Sequence, residues 1–136
     1  MPAMRNESST LDIGLLVLRL GAGGMLLALH GWGKVMNLFS GDPQFGDPIG
    51  IGMLPSLILA AAAEFLFSLL VVLGVKVRWT AIPPAITMAV AAFVAHGNDP
   101  FGEGEKALLY LVAFVALVFT GAGRHSFDGW WQRRKR

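Results

Sequence analysis

The chain contains no cysteine. That excludes disulfides, thiol redox chemistry on this polypeptide, Cys-ligated iron–sulfur clusters and covalent c-type haem. Charge is scarce too. Asp, Glu, Lys and Arg make up 15% of 136 residues, where a soluble domain carries about a quarter. With 54% hydrophobic residues and a mean hydropathy of +0.59, the chain reads neither as disordered nor as an ordinary cytosolic globule. The net charge is only +2. Its basic residues sit beside apolar runs and at one end, a pattern of membrane orientation rather than nucleic-acid binding. Phosphate-loop and dinucleotide motifs are missing: the glycine-rich stretch 97–106 lacks the required register. No Ser-His-Asp constellation is apparent.

What is present is long apolar sequence. A helix needs roughly 20 mostly apolar residues to cross a hydrocarbon core of about 30 Å. Four segments qualify, at about 11–31, 54–75, 79–96 and 106–121. They are apolar nearly all round, whereas a soluble helix would carry a polar face. The expectation is an all-α, integral membrane four-helix transmembrane bundle, with residues 1–10 ahead of it and a basic, Trp-containing tail at 129–136. A cleaved signal peptide does not fit, because the first apolar run is long and holds Arg19. The connector 34–53 repeats Gly-Asp-Pro and carries Phe39, Phe45 and Ile49, so it should lie at the interface or fold back over the bundle.

Orientation follows from Lys and Arg. With both termini on one side, that side holds Arg5, Lys76, Arg78, Arg124, Arg133, Arg134, Lys135 and Arg136, against Lys34 and Lys106 opposite. The positive-inside rule puts both termini in the cytoplasm. Trp79, Trp130 and Trp131 then mark the inner boundary and Trp32 the outer one, and the C-terminal tail reads as an anchor on anionic lipid.

Ionisable residues inside spans are costly and are functional-site hypotheses by default. Arg19, Gly23, Leu26, His30 and Lys34 share one face of the first helix. That face must look inward. Gly21, Gly23 and Gly24 would let another backbone approach. Counting depth at about 1.5 Å per residue puts Arg19 within a turn of Glu64 on the second span, so an Arg19–Glu64 ion pair is expected. Toward the outer surface, His30, Lys34, His96, Glu105 and Lys106 reach similar depth from three helices, with Tyr110 a peripheral member.

Three chemistries suit this set. Histidine and carboxylate could serve a quinone by donating and exchanging protons. His30 and His96 could be axial ligands of a b-type haem. Two histidines and a glutamate could hold a divalent metal, although no metal-site spacing is present.

In order and placement, Arg19, His30-Gly31 followed by Lys34, Glu64, His96, Glu105 and the run Gly121-Ala122-Gly123-Arg124-His125-Ser126-Phe127-Asp128 resemble the DoxX family of small four-helix membrane proteins, over about 11–128. The resemblance implies a multi-pass protein of the bacterial inner membrane. The family name comes from the DoxD/DoxA subunits of thiosulfate:quinone oxidoreductase, and relatives are linked to oxidative-stress and thiol-redox assemblies. Without cysteine, any thiol or thiosulfate chemistry would belong to a partner. The resulting expectation is a quinone-linked oxidoreductase subunit, not active alone. His30, Glu64, His96 and Glu105 would be catalytic, and Arg19, Lys34 and Tyr110 would bind the cofactor. The lipid bilayer, a soluble redox partner and further copies of the chain would be its partners. The alternative is a non-enzymatic scaffold or small-solute permease whose buried polar residues are structural or line a path.

Overall fold

A computed structural model describes residues 2–136, with side chains from Glu7 onward; the Arg5 side chain, counted above toward orientation, lies outside them. The described residues are helical and contain no strand. Helix α1 covers 2–38, α2 Met53–Leu73, α3 Val77–Ala95, α4 Glu105–Thr120 and a short α5 Phe127–Arg134. Three are long and apolar enough to cross a membrane: Glu7–Leu38, Met53–Leu73 and Val77–Ala95. The fourth helix has 16 residues, about 24 Å of rise.

Sequence hydropathy ends the first span at residue 31, but α1 continues unbroken to Leu38. The hydropathy drop at Trp32-Gly33-Lys34 does not stop the helix, because Lys34 turns inward and is neutralised there by a carboxylate. The connector shrinks to 39–52 and folds back. The Asn37 side chain donates to the Gln44 carbonyl at 2.6 Å, and the Gln44 N–H donates to Asn37 Oδ1 at 3.1 Å.

Each of the three long helices contains π-helical turns, at Arg19–Gly23 and Leu27–Gly31 in α1, Ala62–Phe67 in α2 and Ala91–Ala95 in α3. A π turn takes one extra residue per winding and often marks a functional position. Here Arg19, His30 and Glu64 lie inside such turns and His96 follows one.

The core draws on all four helices: Ala22 and Leu26 from α1, Val71 from α2, Ala81, Ala85 and Met88 from α3, Phe114 and Leu117 from α4. Small residues let helix backbones close on one another where lipid supplies no hydrophobic drive. The outer surface is apolar instead: Val17, Leu20, Leu29, Leu59, Ile86, Phe93, Leu109, Val112 and Phe119 are all exposed.

Glycine sets the α1–α2 register, at a different place from the one the sequence suggests. A Cβ on Gly21 or Gly24 would meet nothing within 4 Å, whereas Gly23 faces Val72 and Ser68. The tightest crossing is at Gly31, where a methyl group would collide with the Glu64 carbonyl and stand 2.8 Å from the Phe65 nitrogen. Backbone cannot move aside as a side chain can. Gly31→Ala should therefore spread α1 from α2 and cost about 1–3 kcal/mol, while Gly21→Ala should stay within about 0.5 kcal/mol of wild type. Thermal unfolding of the two variants in detergent checks this, and equal midpoints would contradict it.

The start of α2 rests on Asp47. Its carboxylate accepts from the Ile51 N–H at 2.9 Å, the Gly52 N–H at 2.8 Å and the Ser56 hydroxyl at 3.0 Å. These bonds, the Gly52 N–H foremost, pull its pKa below the ordinary 3.8. A depressed folded-state value means the carboxylate stabilises the fold above the unfolded value. That contribution is lost as pH falls through the folded value. The difference in melting temperature between wild type and Asp47→Ala should stay constant from neutral pH down to about 5 and shrink below about 4. A difference unchanged down to about pH 2 would contradict this.

Candidate functional site

Two polar centres occupy opposite ends of the α1–α2 crossing. At the first, Arg19 is 2% exposed and has no carboxylate within hydrogen-bonding distance. Its Nε donates to the Val71 carbonyl at 3.0 Å and its Nη2 to the Val72 carbonyl at 3.0 Å. Its Nη1 donates to the carbonyls of Ala122 at 2.7 Å and His125 at 3.0 Å. A guanidinium suits this task, since its fixed fork of donors can meet several carbonyls at once around a helix end. Arg19 thus ties the C-terminus of α2 to the segment after α4.

That segment is held from other directions as well. Asp12 accepts from the Arg124 N–H at 3.0 Å. Ser126 caps α5 by accepting from the Gly129 N–H at 3.0 Å and donates to the Gly123 carbonyl at 2.6 Å. Asp128 accepts from the N–H groups of Lys76 at 2.7 Å and Val77 at 3.1 Å, which caps α3. The run 121–128 is therefore a structural clasp.

The expected Arg19–Glu64 ion pair does not form. Gly31, the residue of α1 that abuts Glu64, lies about 18 Å along the helix from Arg19. Depth counted from hydropathy edges placed the two within a turn, because the edge of an apolar run does not fix register between helices.

The partner of Glu64 is Lys34. Its Nζ lies 2.6 Å from Glu64 Oε2, with the lysine 21% and the glutamate 3% exposed. This second centre continues outward. The His30 ring meets Tyr110 of α4 edge-on, with centroids 5.8 Å apart and planes at 82°. Lys34 and Lys106 lie within electrostatic range of His30, and Glu64 within range of Tyr110. Phe45, on the returning loop, places its ring 6.0 Å from Lys34 Nζ, and Trp32 packs against Phe65 at 6.0 Å. Glu64, Lys34, His30 and Tyr110 thus converge from α1, α2 and α4, and Tyr110 is more central than its azimuth on an ideal helix suggests. Gly31 and Asp47 were missed as organisers. The Gly31 signal is in the sequence, between His30 and Trp32, but only the crossing gives it meaning.

His96 and Glu105 lie at the two ends of the α3–α4 connection. His96 is 43% exposed and its Nδ1 lies 3.6 Å from Glu103 Oε2. Glu105 is exposed in the first turn of α4. His30 has the Tyr110 ring as a neighbour and His96 a loop carboxylate. Among the described residues no three of His, Asp and Glu come together as a metal site.

Helices with apolar outer faces, several long enough to cross a bilayer, and two ionisable residues deep in the spans, Arg19 and Glu64, turned to the interior define a multi-pass helical membrane protein. Residues 14–97 match the family model for DoxX, and the chain belongs to that family. The match contains Arg19, His30, Lys34, Glu64 and His96; Glu105, Tyr110 and the clasp at 121–128 lie beyond it. Two proteins of Haemophilus influenzae, each described as uncharacterized, are similar along most of their length. One is 34% identical over 114 residues, covering 76% of this chain and 80% of its own. The other is 27% identical over 128 residues, covering 85% and 82%. No solved structure matches the chain.

Proposed function

We propose that this DoxX protein is a quinone-linked membrane subunit of a redox assembly in the bacterial inner membrane. The reading has α4 as the fourth crossing and both ends of the chain in the cytoplasm. Lys76, Arg78, Arg124 and the basic residues 133–136 at one end, against Lys34 and Lys106 at the other, support that orientation. The observation that carries the functional reading is the Lys34–Glu64 pair, 2.6 Å long with the glutamate buried and the lysine half-buried, beside the His30–Tyr110 contact.

A quinone headgroup has two carbonyl oxygens that accept hydrogen bonds. Lys34, His30 and the Tyr110 hydroxyl are the donors available to them. Reduction of a quinone to a quinol consumes two electrons and two protons. A soluble electron-donating partner supplies the electrons. The chain contributes protons, with Glu64 as the exchanging carboxylate and His96 and Glu105 handing protons in from the outer surface. Arg19 acts as a positioning residue through the clasp.

Titration of the detergent-purified protein with a short-chain ubiquinone, followed by tryptophan fluorescence, tests the proposal. Wild type should bind saturably, and His30→Ala and Glu64→Gln should each weaken binding about tenfold or more. Absence of saturable binding by wild type, or unchanged affinity in both variants, would overturn it. A second reading, a scaffold or small-solute permease, is favoured by one observation: Arg19 and Glu64 both have their needs met by internal partners. On that reading both residues lock the bundle, and quinone titration gives no saturation.

A further inference from the structure

The clasp end of the molecule holds a cavity that the function above does not use. It has a volume of about 1170 Å³ and lies between the start of α1, the α2–α3 turn, the end of α4 and α5. Its cationic lining comes from Lys76, Arg78, Arg124, Arg133 and Arg136. Two acidic side chains, Asp12 and Asp128, line it as well, and both are engaged: Asp12 with the Arg124 N–H, and Asp128 with the Lys76 and Val77 N–H groups. None of the five cations makes an ion pair with a carboxylate among the described residues. Like charges gathered around one hollow, with the nearby acids engaged, leave a strongly positive interior.

The position of the hollow selects its ligand. Trp79 lines it and is 74% exposed, and α5 carries exposed Phe127, Trp130 and Trp131 next to it. Arg134 and Lys135 lie over the faces of Trp130 and Trp131, at 4.7 Å and 5.5 Å. Exposed tryptophans with basic companions belong at the headgroup level of a bilayer. A basic hollow at that level meets phospholipid headgroups. It is larger than a single phosphate needs, and its cations arrive from several separate elements, so one anion cannot satisfy them together.

We infer that the cavity is a binding site for an anionic phospholipid headgroup that carries two phosphodiesters. Lys76 and Arg78 would engage one phosphate from the α2–α3 turn, and Arg124 and Arg133 the other. The glycerol and first methylenes would lie on Trp79. Binding there bridges the α2–α3 turn to α5 and so reinforces the clasp from outside.

The test uses the full chain in neutral detergent, with melting temperature as the readout. Cardiolipin should raise the midpoint saturably, phosphatidylglycerol should require more lipid for a smaller rise, and phosphatidylcholine should do nothing. Lys76→Gln/Arg124→Gln should weaken the cardiolipin response about 30-fold, while Arg134→Gln/Lys135→Gln, outside the hollow, should keep it. Should the first pair fail to fold, Arg133→Gln alone serves, with a weakening of about fivefold. Equal responses to cardiolipin and phosphatidylcholine, or equal losses in the two double variants, would overturn the site. A response to inorganic pyrophosphate without one to cardiolipin would overturn the lipid as its source.

Discussion

Arg19→Ala should destabilise the protein by about 4–6 kcal/mol, the largest loss expected from any single substitution here. The change removes the donors of four hydrogen bonds and leaves the carbonyls of Val72, Ala122 and His125 without them, while the Val71 carbonyl keeps the Gly74 N–H at 3.0 Å. Each stranded acceptor costs about 1–3 kcal/mol when water cannot reach it. The side chain also fills space, since Arg19 is among the largest fully buried residues. Arg19→Lys should recover only part of the loss. An ammonium is a point charge, and it cannot span two segments as a planar fork does. In detergent the melting midpoint of Arg19→Ala should fall by more than about 10 °C. A change under about 2 °C would mean that the four carbonyls find other donors.

Lys34→Met should come next, at about 3 kcal/mol. Breaking a buried pair typically costs about 3–5 kcal/mol because a charge is left uncompensated, and the partial exposure of Lys34 places this case at the lower end. The two partners are unequal. Glu64, at 3% exposed, has no route to water, whereas Lys34, at 21%, has one. Glu64→Leu should therefore cost less than Lys34→Met, since the orphaned lysine can reach solvent. Replacing both at once should recover most of the stability, because apolar residues of similar volume suit that site. A double-mutant cycle by thermal unfolding measures the coupling. Strictly additive losses would show that the pair does not act as a unit. The quinone titration of the same double variant separates roles: stability returns with it, and quinone affinity does not.

The helical membrane class was legible because hydropathy alone carries it. Runs of apolar residues as long as a bilayer is thick have few other uses. The inward facing of Arg19, Glu64 and Lys34 was legible for the same energetic reason. What could not be read was which charge meets which. Charge matching favours an acid with the strongest base, yet Arg19 is satisfied by backbone carbonyls, a type of partner that no side-chain pattern reveals. Register depended on Gly31, one glycine among seventeen. The π-helical turns were also hidden, because they arise when helices pack rather than from any residue's preference. Residues 32–38 show the converse error: a lysine was taken as an exit from the helix when its counterion lay on the neighbouring one.

The four carbonyls that hold Arg19 also impose an order on biogenesis. Arg19 emerges from the ribosome early, whereas its acceptors at 71, 72, 122 and 125 emerge later. At about 5–20 residues per second, the guanidinium waits roughly 5–20 s for the last of them. The Val71 and Val72 carbonyls are made about halfway through that interval, and until then the first helix carries a cation with no native partner. Whatever shelters it, whether the insertion machinery or the water at the membrane edge, is fully replaced only once residues 122–125 have been made, so maturation of this bundle is gated by the segment after its fourth helix.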